Sequence, residues 1–143
     1  MKILLICLTA WAIAQIIKAV IGLWREHQFS WSYFVSSGGM PSSHSATVSA
    51  LATSIGLIYG INNPAFPISA ILALVVMYDA AGVRRAVSRQ AFILNRLMRE
   101  LRQQRPREEL GKDLMELVGH SPFQVFIGMA LGVIIACVGI LIT

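Results

Sequence analysis

The chain carries little charge for its length. Of its 143 residues only 13% are charged, whereas about 25% are charged in an ordinary soluble domain, and 56% are hydrophobic. Such a composition excludes a disordered tail and argues against a soluble globular domain. Several apolar stretches approach the roughly 20 residues that a membrane-spanning helix needs. We therefore expect residues 1–143 to form one small, all-α, membrane-embedded helical bundle.

Cysteine is also scarce. Cys7 and Cys137 lie in apolar runs near opposite ends of the chain, without the Cys-x-x-Cys spacing of a zinc or redox site. We interpret them as small apolar side chains, and the sequence predicts neither a metal site nor a cofactor. The first apolar run resembles a cleavable signal peptide as far as Ala12 and Ala14, but apolar residues resume up to Trp24, which favours a retained helix.

Four apolar segments are predicted to be transmembrane helices: residues 3–23, 43–60, 67–83 and 122–142. The second is expected to end at the helix-breaking residues 60–64, and the third at Asp79 and Gly82. Small residues are frequent in the second and fourth segments. Faces of small residues allow helices to pack closely, and they would also suit a homodimer.

A long charged segment separates the third and fourth spans. Apolar residues recur there at helical spacing, namely Val87, Ala91, Leu94, Leu97, Met98 and Leu101. This pattern predicts an amphipathic helix at the membrane surface, ended by Pro106; a solvated helix packed on the bundle is the alternative. Arg25 and nine basic residues from Arg84 to Lys112 lie on this face, against Lys2 on the other. The positive-inside rule therefore predicts that loops 24–42 and 84–121 are cytoplasmic.

Residues suited to binding phosphate collect at the same predicted face. Lys18 lies at membrane depth and Arg25 follows two helical turns later, although a lone lysine in this position is explained equally well by snorkelling. The segment 38–45, Gly-Gly-Met-Pro-Ser-Ser-His-Ser, opens the second span. Its backbone N–H groups and the helix dipole favour an anion, and His44 could exchange a proton with a leaving oxygen.

Two further groups of polar residues flank the charged segment. Asp79, Arg84 and Arg85 end the third span. At the start of the fourth span, Ser121 is the predicted N-cap and Gln124 lies one turn after His120. Each group alone is explained by a helix cap, a lipid contact or a structural histidine. Because they reach one membrane face from several spans, we favour a phosphate site.

These residues resemble the motifs of the type-2 phosphatidic acid phosphatase superfamily, Lys-x6-Arg-Pro, Pro-Ser-Gly-His and Ser-Arg-x5-His-x3-Asp. Lys18 and Arg25 have the first spacing, with Glu in place of Pro, and residues 41–44 match the second motif with Ser43 in place of Gly. His120 matches the third-motif histidine, Gln124 takes the Asp position, and Asp113-Leu114 replaces Ser-Arg. Over nearly its whole length the chain is most similar to a small divergent bacterial branch, related to acid phosphatases and vanadium-dependent haloperoxidases.

The resemblance implies hydrolysis of a lipid phosphomonoester without a metal or cofactor, through a phosphohistidine. Phosphatidylglycerol phosphate, phosphatidate and a polyprenyl phosphate are equally acceptable substrates. The roles that it implies are a nucleophile, His120; a general acid, His44; an orienting group, Asp79 or Gln124; and phosphoryl-binding groups, Lys18, Arg25, Ser42, Ser43 and Arg84 or Arg85.

Other functions are open at this point. A non-catalytic membrane protein could bind anionic lipid headgroups in a degenerate pocket, a reading that Gln124 and the altered third motif favour. A haloperoxidase is less favoured, because a site inside the membrane suits a lipid. Nucleic-acid binding is the weakest reading, since the basic residues adjoin membrane spans and no soluble fold accompanies them.

Overall fold

The structure is a computed structural model that describes residues 1–26, 39–102 and 120–142. All regular secondary structure in these ranges is helical: α1 (Lys2–Glu26), α2 (Ser43–Tyr59), α3 (Ala65–Tyr78), a π-helical turn (Asp79–Val83), α4 (Arg84–Arg102) and α5 (Pro122–Ile142). The predicted all-α membrane bundle is confirmed. Pro106, Asp113 and Leu114 lie outside the described residues.

In the described part of the chain, three helical stretches are long and apolar enough to cross a membrane. They are Lys2–Trp24, Ala65–Glu100 and Pro122–Ile142. Helix α2 has 17 residues, which gives a length of about 25 Å at 1.5 Å per residue. This is a little less than the roughly 30 Å of the hydrocarbon core, so the second predicted span, residues 43–60, stays a prediction.

Helix α2 packs against α1, α3 and α5 and forms the centre of the bundle. The contacts with α1 and α5 are built from small residues that are completely buried: Ala10, Ala14, Ala46, Ala50 and Ala136. A Cβ atom on Gly128 would collide with the carbonyl oxygen of Ser42, and one on Gly132 with that of Ala46. Small residues let helices approach closely in a membrane. Gly128 and Gly132, which belong to the small-residue face of α5 that suggested a homodimer, are thus buried against α2 within the chain.

The helix that contains the third predicted span does not end at Gly82. Helix α3 continues through the π-helical turn into α4, so that one continuous helix runs to Arg102. The prediction of two separate helices was wrong because neither a proline nor a capping residue follows Gly82. A glycine alone costs an α-helix only about 1 kcal/mol relative to alanine, and here it lies within a single wider turn.

Helix α4 is amphipathic, as predicted. Val87, Leu94 and Leu97 are exposed on one side, while Ala91 and Asn95 form a buried stripe beside them. The basic side chains Arg85, Arg89 and Arg96 occupy the opposite, exposed side. The position of this helix at the membrane surface stays a prediction.

Candidate active site

Three chain segments are tied together at one end of the bundle by backbone hydrogen bonds. The N–H group of His120 donates to the carbonyl oxygen of Ala80, at 3.1 Å, and joins the start of α5 to the π-helical turn. The N–H group of Ser42 donates to the carbonyl oxygen of Gln124, at 3.2 Å, and joins the start of α2 to α5. The second and third sequence motifs are therefore neighbours in space.

Lys18 reaches the same place from α1. Its side chain is only 5% exposed and it packs on Gly39, where an added Cβ atom would lie 3.1 Å from the lysine Cε. Gly39 has a φ angle of +99°, a conformation that side-chain-bearing residues rarely adopt. Only glycine therefore fits the chain at this point, directly before α2 and against Lys18.

The start of α2 presents free backbone donors. Ser42 is the N-cap, and its Oγ accepts hydrogen bonds from the N–H and hydroxyl groups of Ser45, at 3.4 and 3.0 Å. The N–H groups of Ser43 and His44, in the first helical turn, have no acceptor within the helix. The His44 side chain is exposed. This helix start has the donors and the dipole that an anion site requires.

His120 is held in one orientation. It is 2% exposed, and its Nδ1 lies 3.3 Å from Oε1 of Gln124. The same oxygen accepts the N–H of Ser121, at 3.0 Å, and the N–H of Gln124 donates to Ser121 Oγ, at 3.3 Å. This is a capping box at the start of α5. Because the amide oxygen can only accept, the bond assigns the ring proton to Nδ1 and leaves a lone pair on Nε2.

The second ring nitrogen of His120 is buried and unsatisfied. Among the described residues Nε2 has no hydrogen-bond partner; the backbone of Gly39 approaches the ring but makes no hydrogen bond of ordinary geometry with it. Burial lowers the pKa of His120, and the hydrogen bond with Gln124 opposes this shift only in part. The imidazole is therefore neutral at pH 7, with its lone pair available.

Asp79 and Arg84 form an ion pair across the π-helical turn. Arg84 Nε donates to Asp79 Oδ2, at 2.7 Å, and both side chains are 40% exposed. In a regular α-helix, residues five apart point in different directions; the wider π-helical turn brings these two onto one side. The charges of Asp79, Arg84 and Lys18 all lie within electrostatic range of His44.

The structure gathers most of the predicted site residues at one end of the bundle: Lys18, Ser42, Ser43, His44, Asp79, Arg84, His120 and Gln124. It does not gather all of them. Arg85 is exposed and lies one residue further along α4, whereas the side chain of Arg25, near the end of α1, is outside the described part. Gln124 contacts the His120 ring, and Asp79 is paired with Arg84 instead.

Two residues that position the site were missing from the sequence prediction. In the sequence, Gly39 stands out only as part of a glycine-rich helix opening. A backbone segment that must pack closely on the Lys18 side chain needs a glycine, and this requirement is the signal that could have identified it. Ala80 contributes a backbone carbonyl to His120. An alanine in an apolar run gives no sign of such a role, so no feature of the sequence could have identified it.

Comparison with known proteins shows which family the chain belongs to. The profile of the Divergent PAP2 family matches residues 1–135, which include all the site residues named above. A protein of Bacillus subtilis (strain 168) described as "Uncharacterized membrane protein YuiD" is 39% identical over 144 residues, covering 94% of this chain and 91% of the relative. No solved structure matches the chain. On these grounds the chain is an integral membrane protein that belongs to the Divergent PAP2 family, a branch of the PAP2 superfamily.

Proposed function

We propose that this protein is a membrane lipid phosphate phosphatase that hydrolyses a phosphomonoester through a phosphohistidine on His120. The observation that carries the proposal is the state of that ring: Nδ1 is engaged by Gln124, and Nε2 is buried with no partner among the described residues. An unsatisfied buried nitrogen costs stability. A nucleophile that must reach phosphorus needs such a free lone pair.

The proposed reaction has two steps, formation of the phosphoenzyme and its hydrolysis. In the first, the Nε2 lone pair attacks phosphorus, the bond from phosphorus to the lipid oxygen breaks, and His44 gives its proton to the leaving alkoxide. In the second, His44 takes a proton from water as the water oxygen attacks phosphorus, and the P–N bond breaks to release inorganic phosphate. Throughout, the proton of His120 stays on Nδ1 and is donated in a hydrogen bond to the Gln124 oxygen.

Fixed positive charge supports the transition state of both steps. A phosphoryl group in transfer carries negative charge on its three equatorial oxygens. Lys18, Arg84 and the first N–H groups of α2 are the groups assigned to these oxygens, together with Arg25, which follows Lys18 in the sequence by two helical turns. Asp79 holds the Arg84 side chain in place through the ion pair.

The experiment that tests the proposal is phosphate release from purified protein. Phosphatidate, phosphatidylglycerol phosphate and a polyprenyl phosphate are offered in detergent, and inorganic phosphate is measured for the wild type and for His120→Ala. The wild type should release phosphate from at least one of them, and the variant from none. Equal release by the two proteins would reject His120 as the nucleophile.

A non-catalytic headgroup-binding protein is the second candidate, and one observation favours it. The group that contacts Nδ1 of His120 is a neutral amide, and the nearby carboxylate of Asp79 is engaged by Arg84. A neutral amide supports a positively charged phosphohistidine less than a carboxylate does. Saturable binding of these lipid phosphates without any phosphate release is the result that this alternative predicts.

The proposed site faces the cytoplasm. The support is the excess of basic residues in loops 24–42 and 84–121, the face on which the site residues lie. In a variant with Cys7 and Cys137 replaced by serine, a single cysteine in place of the exposed Gln90 tests the orientation. It should resist an impermeant maleimide added to intact cells and react after the membrane is permeabilised. Labelling of intact cells would place the site outside.

A further inference from the structure

An apolar groove runs along the outside of the bundle between α1 and α2. It encloses about 500 Å³, a size within the roughly 300–1,000 Å³ of ligand clefts. Its α2 wall contains Val48, Leu51 and Ile55, and its α1 wall contains Leu4 and Cys7. Among the described residues that line it, none has a charged side chain. A hydrocarbon chain is the kind of ligand that such a surface accepts.

The α2 wall of the groove lies on the same helix face as His44. Val48, Leu51 and Ile55 follow His44 by four, seven and eleven residues, and these are the intervals at which α-helical side chains share one face. The opposite side of α2, with Ser42 and Ala46, packs on Gly128 and Gly132 of α5. His44 therefore stands at the head of the groove wall.

The α1 wall lies on the same face of its helix as Lys18. Cys7 and Leu4 precede Lys18 by eleven and fourteen residues, again on one helix face. Trp11 lies between them on this face and is about half exposed, and no charged residue occurs from residue 3 to residue 17. The α2 wall thus begins one turn from His44 and runs toward the opposite membrane face over about 18 Å, from residue 47 to residue 59. The α1 wall, as far as Cys7, faces the distal part of this path on the helix face that carries Lys18.

We propose that this α1–α2 groove holds one hydrocarbon chain of the lipid phosphate whose phosphoryl group lies among Lys18, His44 and His120. The inference rests on the proposed function and specifies how the substrate lies: phosphate at the helix starts, chain along Val48, Leu51 and Ile55. Because a chain leaving the bilayer gains little by burial in another apolar place, the groove selects by shape. It accepts a chain that can extend from the phosphate along α2 toward Tyr59.

Groove-filling variants test this placement. Val48→Trp blocks the groove near His44, Ile55→Trp blocks it two turns lower, and Ile134→Trp adds the same bulk to an exposed position of α5 as the matched control. The proteins are placed in nanodiscs of one composition and assayed with monoalkyl phosphates from butyl to hexadecyl. The readout is the ratio of kcat/KM for the long substrate to that for the short one, because partitioning into the disc cancels between variants.

The expected result is graded. Val48→Trp should lower the hexadecyl-to-butyl ratio at least tenfold, Ile55→Trp should lower it while sparing the octyl-to-butyl ratio, and Ile134→Trp should leave both ratios within twofold of the wild type. A proportional loss on all chain lengths in both groove variants, or no loss in either, would overturn the placement of the chain.

A second measurement does not depend on turnover and separates this inference from the proposed function. A hexadecyl phosphate with a diazirine near the middle of its chain is photolysed with wild-type protein, and the labelled residues are mapped by mass spectrometry. Labels should fall on residues 4–7 and 48–55, and a diazirine alcohol of equal length should label them at least fivefold less. Labels mainly on α5, or equal labelling by the alcohol, would reject the inference even in an active enzyme. Groove labelling without any phosphatase activity would reject the proposed function and keep the groove.

Discussion

The two histidines stand at two helix starts that differ in almost every respect. His120, before α5, is 2% exposed. Its ring is held by the hydrogen bond with Gln124, and its backbone N–H donates to the carbonyl oxygen of Ala80. His44, in the first turn of α2, is exposed and lies one turn before Val48 of the α1–α2 groove. Fixing a side chain suits a group that must attack along one line. Exposure suits a group that must give a proton to a leaving oxygen and then take one from a water molecule.

Removing His120 is expected to have the largest effect. His120→Ala should lower phosphatase kcat/KM by about 10⁴-fold or more, because a covalent route is lost together with its nucleophile. Initial rates of phosphate release from a lipid phosphate measure this, with helicity and detergent-solubilised size as checks on folding. Retention of a tenth of the activity or more would mean that the buried ring is structural.

Removing His44 should have a smaller and selective effect. His44→Ala should slow hydrolysis of a lipid phosphate by about 10²- to 10³-fold, the usual contribution of a general acid. With an activated aryl phosphate, whose leaving group needs no proton, His44→Ala should form the phosphoenzyme at nearly the wild-type rate. The comparison of the two substrates in single-turnover assays decides the role. Equal losses on both would contradict a proton transfer by His44.

The cationic groups divide into a set inside the site and a set outside it. Lys18→Ala and Arg84→Ala should each cost about 3 kcal/mol of transition-state stabilisation, close to 10²-fold in kcat/KM. Arg96→Ala, on the exposed side of α4, is the matched control, and Arg85→Ala should behave like it. If kcat/KM fell in Arg85→Ala but not in Arg84→Ala, Arg85 and not Arg84 would hold the phosphoryl group.

Much of this arrangement could be predicted from the sequence. Helix boundaries at Ser43, Gly60 and Pro122 followed from caps and breakers, which act locally. The gathering of Lys18, His44 and His120 followed from helix direction and the resemblance to known motifs. Local patterns carry this information because a membrane helix leaves few alternatives for its backbone.

Other features needed the structure. The π-helical turn depends on how Asp79–Val83 packs beside His120, and no propensity distinguishes it from an ordinary helical turn. The proposal that Arg84 and not Arg85 binds the phosphoryl group depends on that turn, since it aligns Arg84 with Asp79. From sequence spacing alone, either arginine could bind the phosphoryl group. The α1–α2 groove likewise depends on the distance between two helices, which periodicity does not give.

The smallest expected effect concerns Gln124 and pH. Burial lowers the pKa of His120, so the wild-type acid limb, where protonation removes the nucleophile, should lie below pH 6.5, the ordinary histidine value. Gln124→Glu places a carboxylate at Nδ1, stabilises the imidazolium and raises that pKa. The acid limb of the kcat/KM profile should therefore move to higher pH, with a gain of about tenfold in phosphoenzyme formation. Unchanged profiles in Gln124→Glu would show that residue 124 does not support the ring.

The central claim is that His120 receives the phosphoryl group on Nε2. Rapid alkaline quenching of wild-type protein during turnover of a lipid phosphate, followed by peptide mass spectrometry and phosphorus NMR, tests it most directly, because phosphohistidine survives at high pH. We expect one phosphorylated residue, His120, substituted at Nε2, with a signal that decays as inorganic phosphate appears. Phosphate release with no phosphohistidine at any time, or with the phosphoryl group on His44, would contradict it.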